Sequence, residues 1–277
     1  MVRVVIAAHK KAELPEDRCY LPVFAGAALR RGEENLPPYE PDDRGDQISE
    51  KNPLYCELTA LYWAWKNLSQ EALGLVHYRR YFAGKVRKTA AEAAGAYRNK
   101  AFRRILGSEE LTEILREKDL ILPKKQNYYI ETIYSHYAHT HDASQLDLAR
   151  VIIRERCPGY LPSFDRVMKA RTAHMFNMMV MKEPFLSDYL NWLFPILGEL
   201  EERFVLREES AYQRRYIGRI AEILLNVWLD HLVTSGKIRQ DRIAVLPMVF
   251  LGKVNWIKKG SAFFRAKFLH KRYKESF

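Results

Sequence analysis

Residues 46–82, DQISEKNPLYCELTALYWAWKNLSQEALGLVHYRRYF, contain the pattern that decides the fold. A helix is predicted to open at Asn52 and Pro53, with asparagine as the capping residue and proline at the first helical position, where no amide hydrogen is needed. Apolar side chains then recur at helical spacing and form one stripe: Leu58, Leu61, Tyr62 and Trp65. The apolar run 74–76 follows and is typical of a buried strand. The segment therefore predicts a helix that leads into a buried strand.

The predicted strand runs directly into the hexapeptide 77–82, HYRRYF. Polar and charged side chains at the end of a buried strand are costly to bury without partners. In an open α/β sheet the carboxyl ends of the strands are also where ligands bind. His77, Arg79 and Arg80 are therefore candidates for a binding site. A surface turn with two solvated arginines is the alternative interpretation of this run taken alone.

The first residues of the chain show the same arrangement of an apolar run followed by polar side chains. Residues 2–8 are apolar except for Arg3, which is typical of a strand buried on both faces. His9 and Lys10 follow at the strand end that would face a ligand in an α/β fold. A surface loop that carries Lys10 and Lys11 is the alternative.

Several segments resemble a bacterial family of capsular and exopolysaccharide glycosyltransferases that was long known only as a domain of unknown function. The resemblance covers residues 2–230 and is carried by His9-Lys10, Asp46-x-Ile48-Ser49-x-Lys51-Asn52, Tyr55-x-Glu57-Leu58 with residues 59–67, Gly74 to Phe82, Asn177-Met178-x-Val180-Met181-Lys182, Tyr189-x-x-Trp192-Leu193-Phe194 and Arg215-x-x-Gly218-x-x-Ala221-Glu222. It implies an α/β fold of the GT-A type, a single domain with a mostly parallel central sheet flanked by helices. It also implies transfer of a sugar, with UDP-galactofuranose as the best-supported donor, to a polysaccharide or a polyprenyl-linked glycan in capsule, O-antigen or exopolysaccharide synthesis.

The resemblance, together with the two strand ends, assigns expected roles to residues of this chain. The residues expected to bind the donor are His9, Lys10, Asp46, Asn52, His77, Arg79, Arg80 and Arg215. Asn177 and Asp188 are expected on the acceptor side. Inverting transfer needs a carboxylate or a histidine that takes the proton of the acceptor hydroxyl. The candidates for this base are Glu222, Asp147, Asp188 and His141, with Glu222 and Asp147 preferred because they are taken to lie in the resembling segments.

The residue types at the strand ends also bear on metal dependence. Most GT-A transferases hold Mg²⁺ or Mn²⁺ with an Asp-x-Asp motif after a strand, where the ion neutralises charge on the leaving diphosphate. No such motif follows a predicted strand here, whereas Arg79 and Arg80 do, and a guanidinium binds two phosphate oxygens and stays charged. We therefore expect the arginines to replace the metal in whole or in part, so that no cofactor is required besides the UDP-sugar. Asp42 and Asp43 are interpreted as solvated loop acids.

Residues 128–147 contain three histidines and leave two interpretations open. His139 and His141, with Asp142, have a spacing that could hold a metal ion, which would indicate a metal-dependent hydrolase. The alternative is an active-site loop that closes over the sugar, followed by a helix that Asp147 caps. We favour the loop because no third well-spaced metal ligand is evident.

The remaining pattern predicts further elements of an α/β domain. They are a loop at 31–45, a helical insertion at about 88–118, strands at 119–123 and 175–181, and helices at 185–200 and 212–232. The last helix carries a polar stripe at helical spacing, which consists of Arg215, Arg219, Glu222 and Asn226. This stripe either forms a salt-bridged surface or faces a phosphate-bearing cleft, since two arginines one turn apart repel without an anion or acid between them.

The positive charge is concentrated at the end of the chain. Residues 252–277 carry eight lysines and arginines and one acid, a surplus of seven in a total of +11. Aromatic and aliphatic side chains alternate with these cations in a segment too short and too charged to span a bilayer. We therefore expect a glycosyltransferase domain at 1–251 and a basic amphipathic helical tail at 252–277 that lies on an anionic membrane surface. A solvated tail, or one docked on its own domain, is the alternative.

Composition limits the remaining classes. The chain has no apolar run of membrane-spanning length and no signal-peptide pattern, so we expect a cytoplasmic protein, peripheral at the inner face of the cell membrane. Cys19, Cys56 and Cys157 are odd in number and widely spaced, which argues against a disulfide framework; Cys56 is expected to be a small buried side chain inside the first helix. A pI near 9.5 suggests a nucleic-acid-binding protein as a rival class. Because residues 1–251 carry only +4, no nucleic-acid partner is predicted.

Overall fold

A nine-stranded sheet runs through the part of the chain that the computed structural model describes, residues 2–85, 100–205 and 210–252. In spatial order its main path consists of β10 (Ile243–Leu246), β6 (Leu120–Pro123), β9 (Met179–Lys182), β4 (Ala72–His77), β1 (Val2–Ala8), β2 (Tyr20–Phe24) and β3 (Glu40–Pro41). Two further strands, β5 (Arg80–Phe82) and β11 (Met248–Phe250), extend the sheet beside the end of β4. A separate two-stranded ribbon pairs β7 (Gln126–Asn127) with β8 (Thr172–Ala173).

The direction of the strands confirms the expectation of a mostly parallel α/β sheet. β1 pairs in parallel with β2 and β4, β2 with β3, and β6 with β10. β9 runs antiparallel to both of its neighbours, β4 and β6, and β5 runs antiparallel to β4 and β11. Seven of the nine described strands of this sheet therefore point the same way, and their carboxyl ends meet at one edge of the sheet.

Helices cover both faces of this sheet, and most of them lie on one face. Their bounds are α1 (Asn52–Tyr55), α2 (Leu58–Asn67), α3 (Ser108–Glu117), α4 (Ile133–Thr140), α5 (Ser144–Arg156), α6 (Leu161–Lys169), α7 (Phe185–Arg203), α8 (Ala211–Arg214) and α9 (Tyr216–Thr234). On the helical face, apolar side chains of α2, α5, α7 and α9 pack against every second residue of β1 and β4. On the opposite face the core is completed by α3, β5 and the short helix 100–104.

The two strands predicted to be buried on both faces are so. Val5 of β1 belongs to the core on the helical side and Ile6 to the core on the other side, because successive side chains of a strand point to opposite faces. β4 behaves in the same way with Leu75 and Val76. The runs 2–8, 74–76 and 119–123 were therefore sufficient to predict β1, β4 and β6.

The predicted first helix is divided, which corrects the position expected for Cys56. This residue has φ 55° and ψ −128° and separates α1 from α2. It is buried at the break and not inside a helix, and it packs against α9 at Gly218. A Cβ on Gly218 would lie 3.3 Å from Cys56 Sγ, so the absence of a side chain there permits the close approach.

Other predicted elements shift in extent. The strand expected at 175–181 begins only at Met179 and runs antiparallel, and the loop expected at 128–147 contains α4. The helix expected at 212–232 is interrupted at Arg215, between α8 and α9. The helical insertion is confirmed for α3, whereas residues 86–99 lie outside the described residues.

The last described residues return to the carboxyl edge of the sheet. β11 pairs antiparallel with β5, with Met248 opposite Phe82, and the N–H of Leu251 donates to the Arg79 carbonyl at 2.9 Å. The basic tail predicted at 252–277 lies outside the described residues apart from Gly252. Of the helices that the structure describes, none has the length and apolar character needed to cross a membrane.

Candidate active site

Two adjacent parallel strands bring the first cationic residues together. The residues that follow β1 and β4 emerge at the same edge of the sheet, and the ring of Tyr78 lies between them. This ring packs edge-on against the ring of His9 at a centroid distance of 5.2 Å. Lys10 Nζ lies 5.8 Å and Arg79 Cζ lies 5.3 Å from the centre of the Tyr78 ring. The structure therefore gathers His9, Lys10 and Arg79, all exposed, into a cationic face around one aromatic ring.

Arg80 lies deeper, at the first position of β5. Its guanidinium packs over the ring of Phe176 at 4.5 Å and over that of Phe250 at 5.7 Å, a stacking that suits a delocalised cation. Its Nε is buried without a hydrogen-bond partner. Burial lowers the pKa of Arg80, but arginine remains charged in proteins. Within the described residues neither Arg79 nor Arg80 forms an ion pair, so both charges are available to a ligand.

A two-residue turn before β9 holds the centre of the site. Phe176 and Asn177 have φ of 73° and 51°, in the left-handed region that side chains usually avoid. The Phe176 carbonyl accepts a hydrogen bond from His77 Nε2 at 2.6 Å, and the backbone of Phe176 lies close enough to the Glu222 carboxyl to lower its pKa. Such backbone strain persists only where the surroundings hold it, and it concentrates at functional sites. The turn thereby links β4 to α9, since Asn177 Nδ2 also donates to the Gly218 carbonyl.

His77, the last residue of β4, acts through this turn. Because a carbonyl oxygen can only accept, Nε2 of His77 carries the hydrogen in its bond to Phe176. Burial lowers the pKa of His77, and the charge of Arg80 lowers it further, while Glu57 opposes both. The ring is therefore neutral at neutral pH and positions Phe176.

Asn177 is buried and fastens a second carboxylate to α9. It is 2% exposed, and its Nδ2 donates to Glu57 Oε1 at 2.8 Å and to the Gly218 carbonyl at 3.0 Å. Its Oδ1 is buried without a partner. The expectation that Asn177 sits in a strand is wrong, because the residue precedes β9, and its Nδ2 is used inside the protein.

The carboxyl group of Glu222 has a pKa close to physiological pH. Burial, and then the like charge of Glu57, raise its pKa to about 7. The Phe176 N–H and the charges of Arg80 and Arg219 act in the opposite direction. A carboxyl group with a pKa near neutrality can take up and return a proton during turnover. The structure thus brings the preferred candidate base to the residues expected to bind the donor.

Arg215 lies at the break between α8 and α9, close to the cationic face. Its Nε donates to Cys56 Sγ at 3.0 Å. Burial raises the pKa of Cys56 to about 11, so the thiol is neutral, which agrees with its interpretation as a small buried side chain. The positive charge of Arg215 also contributes to lowering the pKa of His9, after burial and Lys10.

Arg219, one turn further along α9, has internal partners. Its two terminal nitrogens donate to the carbonyls of Tyr212 and Gln213, both at 2.7 Å. Its Nε is buried without a partner. The polar stripe of α9 therefore becomes more buried along its length, from the exposed Arg215 to the buried Asn226. The described residues give Arg215 and Arg219 no ion pair of the kind that a salt-bridged surface would require.

Asn52 and Asp46, both expected to bind the donor, make internal contacts. Asn52 Nδ2 donates to the Cys56 carbonyl at 2.8 Å and to Thr59 Oγ1 at 3.1 Å, which closes the turn between α1 and α2. Asp46 accepts from the Tyr62 hydroxyl at 3.1 Å, near the far end of α2. The ten residues of α2 rise about 15 Å, so Asp46 is remote from the start of that helix. The structure brings neither side chain into the cationic face.

Asp42 is fully buried, which corrects its interpretation as a solvated loop acid. It is 0% exposed, and its carboxylate accepts the N–H groups of Gly26 at 3.0 Å and of Ala27 at 3.0 Å, as well as the Ser49 hydroxyl. A buried carboxylate is tolerable when several donors surround it. Asp42 therefore anchors the turn after β2 and is a structural residue.

Asp147 lies apart from Glu222 as well. It is exposed in the first turn of α5 and accepts from the Tyr134 hydroxyl at 3.0 Å. The hydrogen bond expected of it at the helix start is made by Asp142, whose Oδ1 accepts the Ser144 N–H at 3.0 Å. The prediction that Asp147 caps this helix is therefore wrong.

The other two candidates for the general base, His141 and Asp188, do not lie beside Glu222 in the site. His141 is buried beside α8, with Nδ1 3.0 Å from Gln213 Oε1. Asp188 accepts from Trp228 Nε1 at 2.9 Å in the first turn of α7. Because α7 follows β9 and β9 runs against β4, Asp188 lies at the edge opposite His77. The structure gives no support to an acceptor-binding role for Asp188 at this site.

The histidines behind the hydrolase alternative have separate partners. Glu131 binds His136 and His139 through Nδ1 at 2.8 and 2.6 Å, whereas His141 contacts Gln213. Within residues 2–85, 100–205 and 210–252, no group of three or more His, Cys, Asp or Glu side chains is arranged to hold a metal ion. Nor do the cations at the strand ends form a donor set that fits a divalent ion.

Sequence reasoning missed Glu57 as a site residue. It follows the left-handed Cys56 and lies next to α2, where Asn177 holds its carboxylate. One signal was present: Glu57 lies four residues before Leu61 and eight before Trp65, so an acid occupies a position of the apolar stripe. An acid in such a stripe is either exposed by a break in the helix or bound by a buried partner. Here the helix breaks at Cys56, and the buried Asn177 donates a hydrogen bond to Glu57.

Comparisons with known proteins bear on the fold and the family of the chain. A search of curated protein sequences finds no match. Among solved structures, the chain is similar to the apo structure of WbbM, a bifunctional glycosyltransferase, with a TM-score of 0.77 and 27% sequence identity. The similarity covers 91% of this chain and 45% of that chain, so this chain spans less than half the length of its structural relative.

A family profile matches residues 3–233, nearly the range over which the motifs carry the resemblance. The expected α/β fold of a glycosyltransferase is thus confirmed by structure as well as by sequence. The chain belongs to the family described as Domain of unknown function (DUF4422).

Proposed function

We propose that the protein is a glycosyltransferase that moves a sugar from a UDP donor to a glycan acceptor. The observation that carries the proposal is the position of Glu222, with a pKa of about 7, beside the unpaired guanidinium of Arg80 at the carboxyl edge of the sheet. The similarity to a bifunctional glycosyltransferase supports it. The proposed donor is UDP-galactofuranose, and the proposed acceptor is a polysaccharide or polyprenyl-linked glycan of capsule, O-antigen or exopolysaccharide synthesis.

In this proposal the diphosphate of the donor lies on the cationic face. Lys10, Arg79 and Arg80 supply three positive charges, and each guanidinium can bind two phosphate oxygens. The pKa of His9 is lowered by partial desolvation and by the neighbouring cations, and its ring N–H can donate a further hydrogen bond. Charge that builds on the leaving UDP is then stabilised by groups already in place. We therefore propose that transfer needs no divalent metal.

Glu222 is the proposed general base. The acceptor hydroxyl oxygen attacks the anomeric carbon while its proton passes to the carboxylate of Glu222. The bond between the anomeric carbon and the diphosphate oxygen breaks, and UDP leaves with the electron pair. Attack on the face opposite the leaving group inverts the anomeric configuration. Glu57, held by Asn177, keeps the pKa of Glu222 high enough for the proton to be taken near neutral pH.

We further propose that the protein works in the cytoplasm at the inner face of the cell membrane. The support is the composition of residues 252–277, whose cations and aromatic side chains suit an anionic interface. Such a location would place the site within reach of a lipid-linked acceptor.

Calorimetry with UDP and a UDP-release assay test the proposed function. The full-length protein should bind UDP and should release it from UDP-galactofuranose in the presence of a galactoside acceptor. Arg80→Ala should weaken UDP binding more than tenfold, whereas Lys237→Ala, which removes an exposed lysine beyond α9, should leave it unchanged. Absence of UDP binding together with absence of UDP release from every UDP-sugar offered would refute the proposal.

A further inference from the structure

A cleft of about 420 Å³ opens beside the proposed active site, between β8, β10, α6 and α9. We call it the basic cleft. Its polar lining includes Lys124 and Lys125, which follow β6, Thr172 of β8, and the deeper side chains of His174 and Asn226. No step of the proposed transfer uses these residues.

His174 lines the cleft and has one ring nitrogen, Nε2, that can accept a hydrogen bond from a ligand. The residue is 3% exposed, and its Nδ1 donates to the Pro123 carbonyl at 2.6 Å. Burial lowers the pKa of His174 to about 4, so the ring is neutral and Nε2 carries a lone pair. Asn226 holds the backbone of His174 in place with two hydrogen bonds of 2.8 Å. Within the described residues Nε2 has no hydrogen-bond partner.

The rim of the cleft supplies positive charge. Lys124 and Lys125 are exposed, and neither forms an ion pair with a described residue. The one acid in the lining, Asp230, is bound by Arg166 at 2.6 Å, so these two charges offset each other. The cleft therefore combines two free cations with a neutral acceptor at its base.

The cleft lies within the length of a short saccharide from the proposed base. β6 and β4 end at the same edge with β9 between them, which sets Lys124 about 10 Å from His77 at ordinary strand spacing. On α9, Asn226 follows Glu222 by one turn, a rise of about 6 Å. A glycan whose terminal hydroxyl meets Glu222 would therefore extend into the basic cleft.

We propose that the basic cleft is the acceptor subsite and that it receives an acidic saccharide, one that carries a carboxylate or a phosphate group. The two lysines bind the anionic group, and His174 Nε2 accepts a hydrogen bond from a sugar hydroxyl. A neutral saccharide leaves the lysines without a partner and binds more weakly. That the bound saccharide is the acceptor of the transfer rests on the proposed function. Saccharide binding by the cleft can be measured without a sugar donor.

NMR titration of the full-length protein with D-glucose, D-glucuronate and D-glucose 6-phosphate tests this inference. Both acids should bind at least ten times more tightly than glucose and should shift resonances of the cleft, and their affinity should fall as salt rises. Tighter binding of glucuronate would identify a carboxylate, and tighter binding of the phosphate ester would identify a phosphate, as the preferred group. Acids that bind no more tightly than glucose would overturn the proposal.

Two variants locate the binding. The double variant Lys124→Ala/Lys125→Ala should lose the preference for the acids, at least a tenfold effect, with no loss for glucose. His174→Asn keeps an N–H near the position of Nδ1 but removes Nε2, and it should weaken binding of all three sugars. Because His174 is buried, the lysine variant decides the test if His174→Asn lowers Tm.

The matched control is Lys169→Ala/Arg171→Ala, which removes two exposed cations close to the cleft but outside its lining. It should bind the acids as the unmodified protein does. Equal losses in the control and in the lysine variant would overturn the assignment to the cleft. UDP calorimetry and the UDP-release assay on the same samples separate the two proposals. Acid binding without UDP binding and without UDP release refutes the proposed transferase function alone, and UDP binding without acid binding refutes the subsite alone.

Discussion

Replacing Glu222 with glutamine should stabilise the folded protein at alkaline pH while it removes transferase activity. The folded-state pKa of this carboxyl is about 7 against an ordinary value of 4.5, so between these values the folded state binds more protons than the unfolded state. Stability contributed by this group therefore falls as pH rises through this interval. The cost of the charged carboxylate is absent below pH 4.5 and complete above pH 7. Glu222→Gln removes that cost, because the amide carries no charge.

The magnitude follows from the two pKa values. Their difference corresponds to about 3 kcal/mol, at 1.36 kcal/mol for a tenfold change in proton affinity. Glu222 is only half-buried and solvent screens part of its interactions, so we expect the variant to be about 1–2 kcal/mol more stable above pH 7. Glutamine has the size and shape of glutamate, so the comparison isolates the charge.

Urea unfolding at pH 4.5 and pH 8.5, at equal ionic strength, measures the effect. The difference in unfolding free energy between variant and unmodified protein should be close to zero at pH 4.5 and should favour the variant at pH 8.5. Glu113→Gln, which changes an exposed acid of α3, should show no such dependence. A variant that is equally stable or less stable at pH 8.5 would refute the account of the raised pKa. Retained UDP release would refute the role of Glu222 as base.

Four further outcomes are expected. Arg80→Ala should lower kcat/KM by about 10²–10³-fold in a steady-state assay, as removal of a donor to transition-state charge does, and the activity of the unmodified protein should survive EDTA; activity lost in EDTA and restored by Mn²⁺ would contradict this. Glu57→Gln should move the acidic limb of the kcat/KM pH profile to lower pH, since its like charge no longer raises the pKa of Glu222; an unmoved limb would count against the pairing. Asp42→Ala should lower the unfolding free energy by about 2 kcal/mol or more, because buried N–H groups lose their acceptor, while UDP affinity measured by calorimetry stays the same. Removal of residues 252–277 should abolish salt-sensitive flotation with anionic liposomes and leave UDP binding intact; equal flotation of the shortened chain would show that the tail is not the anchor.

The strands that could be predicted from the sequence are those whose side chains are buried on both faces along the whole strand. β1, β4 and β6 are apolar along their length because both of their faces are covered. The polar residues that follow β1 and β4 could be grouped for the same reason, since parallel neighbours end at one edge. The cationic face was therefore predictable from two apolar runs and the residues after them.

The position of the two carboxylates of the site, Glu57 and Glu222, could not be predicted in this way. It depends on Cys56, Phe176 and Asn177, which adopt left-handed backbone conformations without the glycine that normally signals them. Their conformations are stabilised by contacts distant in sequence, such as the bond between Asn177 and Glu57 across 120 residues. Tertiary contacts of this kind leave no local periodicity.

Asp42 shows the same limit for a structural residue. In a loop rich in proline, glycine and charge, an acid is ordinarily solvated, and composition favoured that interpretation. Its burial depends on amide donors 15 and 16 residues earlier in the chain, at the end of β2. Only the folded arrangement reveals that these donors are available.

The pairing of β11 with β5 determines where the end of the chain leaves the domain. Because the Leu251 N–H is bound to the Arg79 carbonyl, the described part of the chain ends at Gly252 beside the cationic face and not at the back of the sheet. The residues proposed to bind the membrane therefore follow directly from the proposed active site. In that proposal the enzyme searches in two dimensions, and the tail sets the local concentration at which it meets an acceptor embedded in the same lipid. Its rate would then follow the surface density of the acceptor and not the amount of acceptor per volume of cytoplasm.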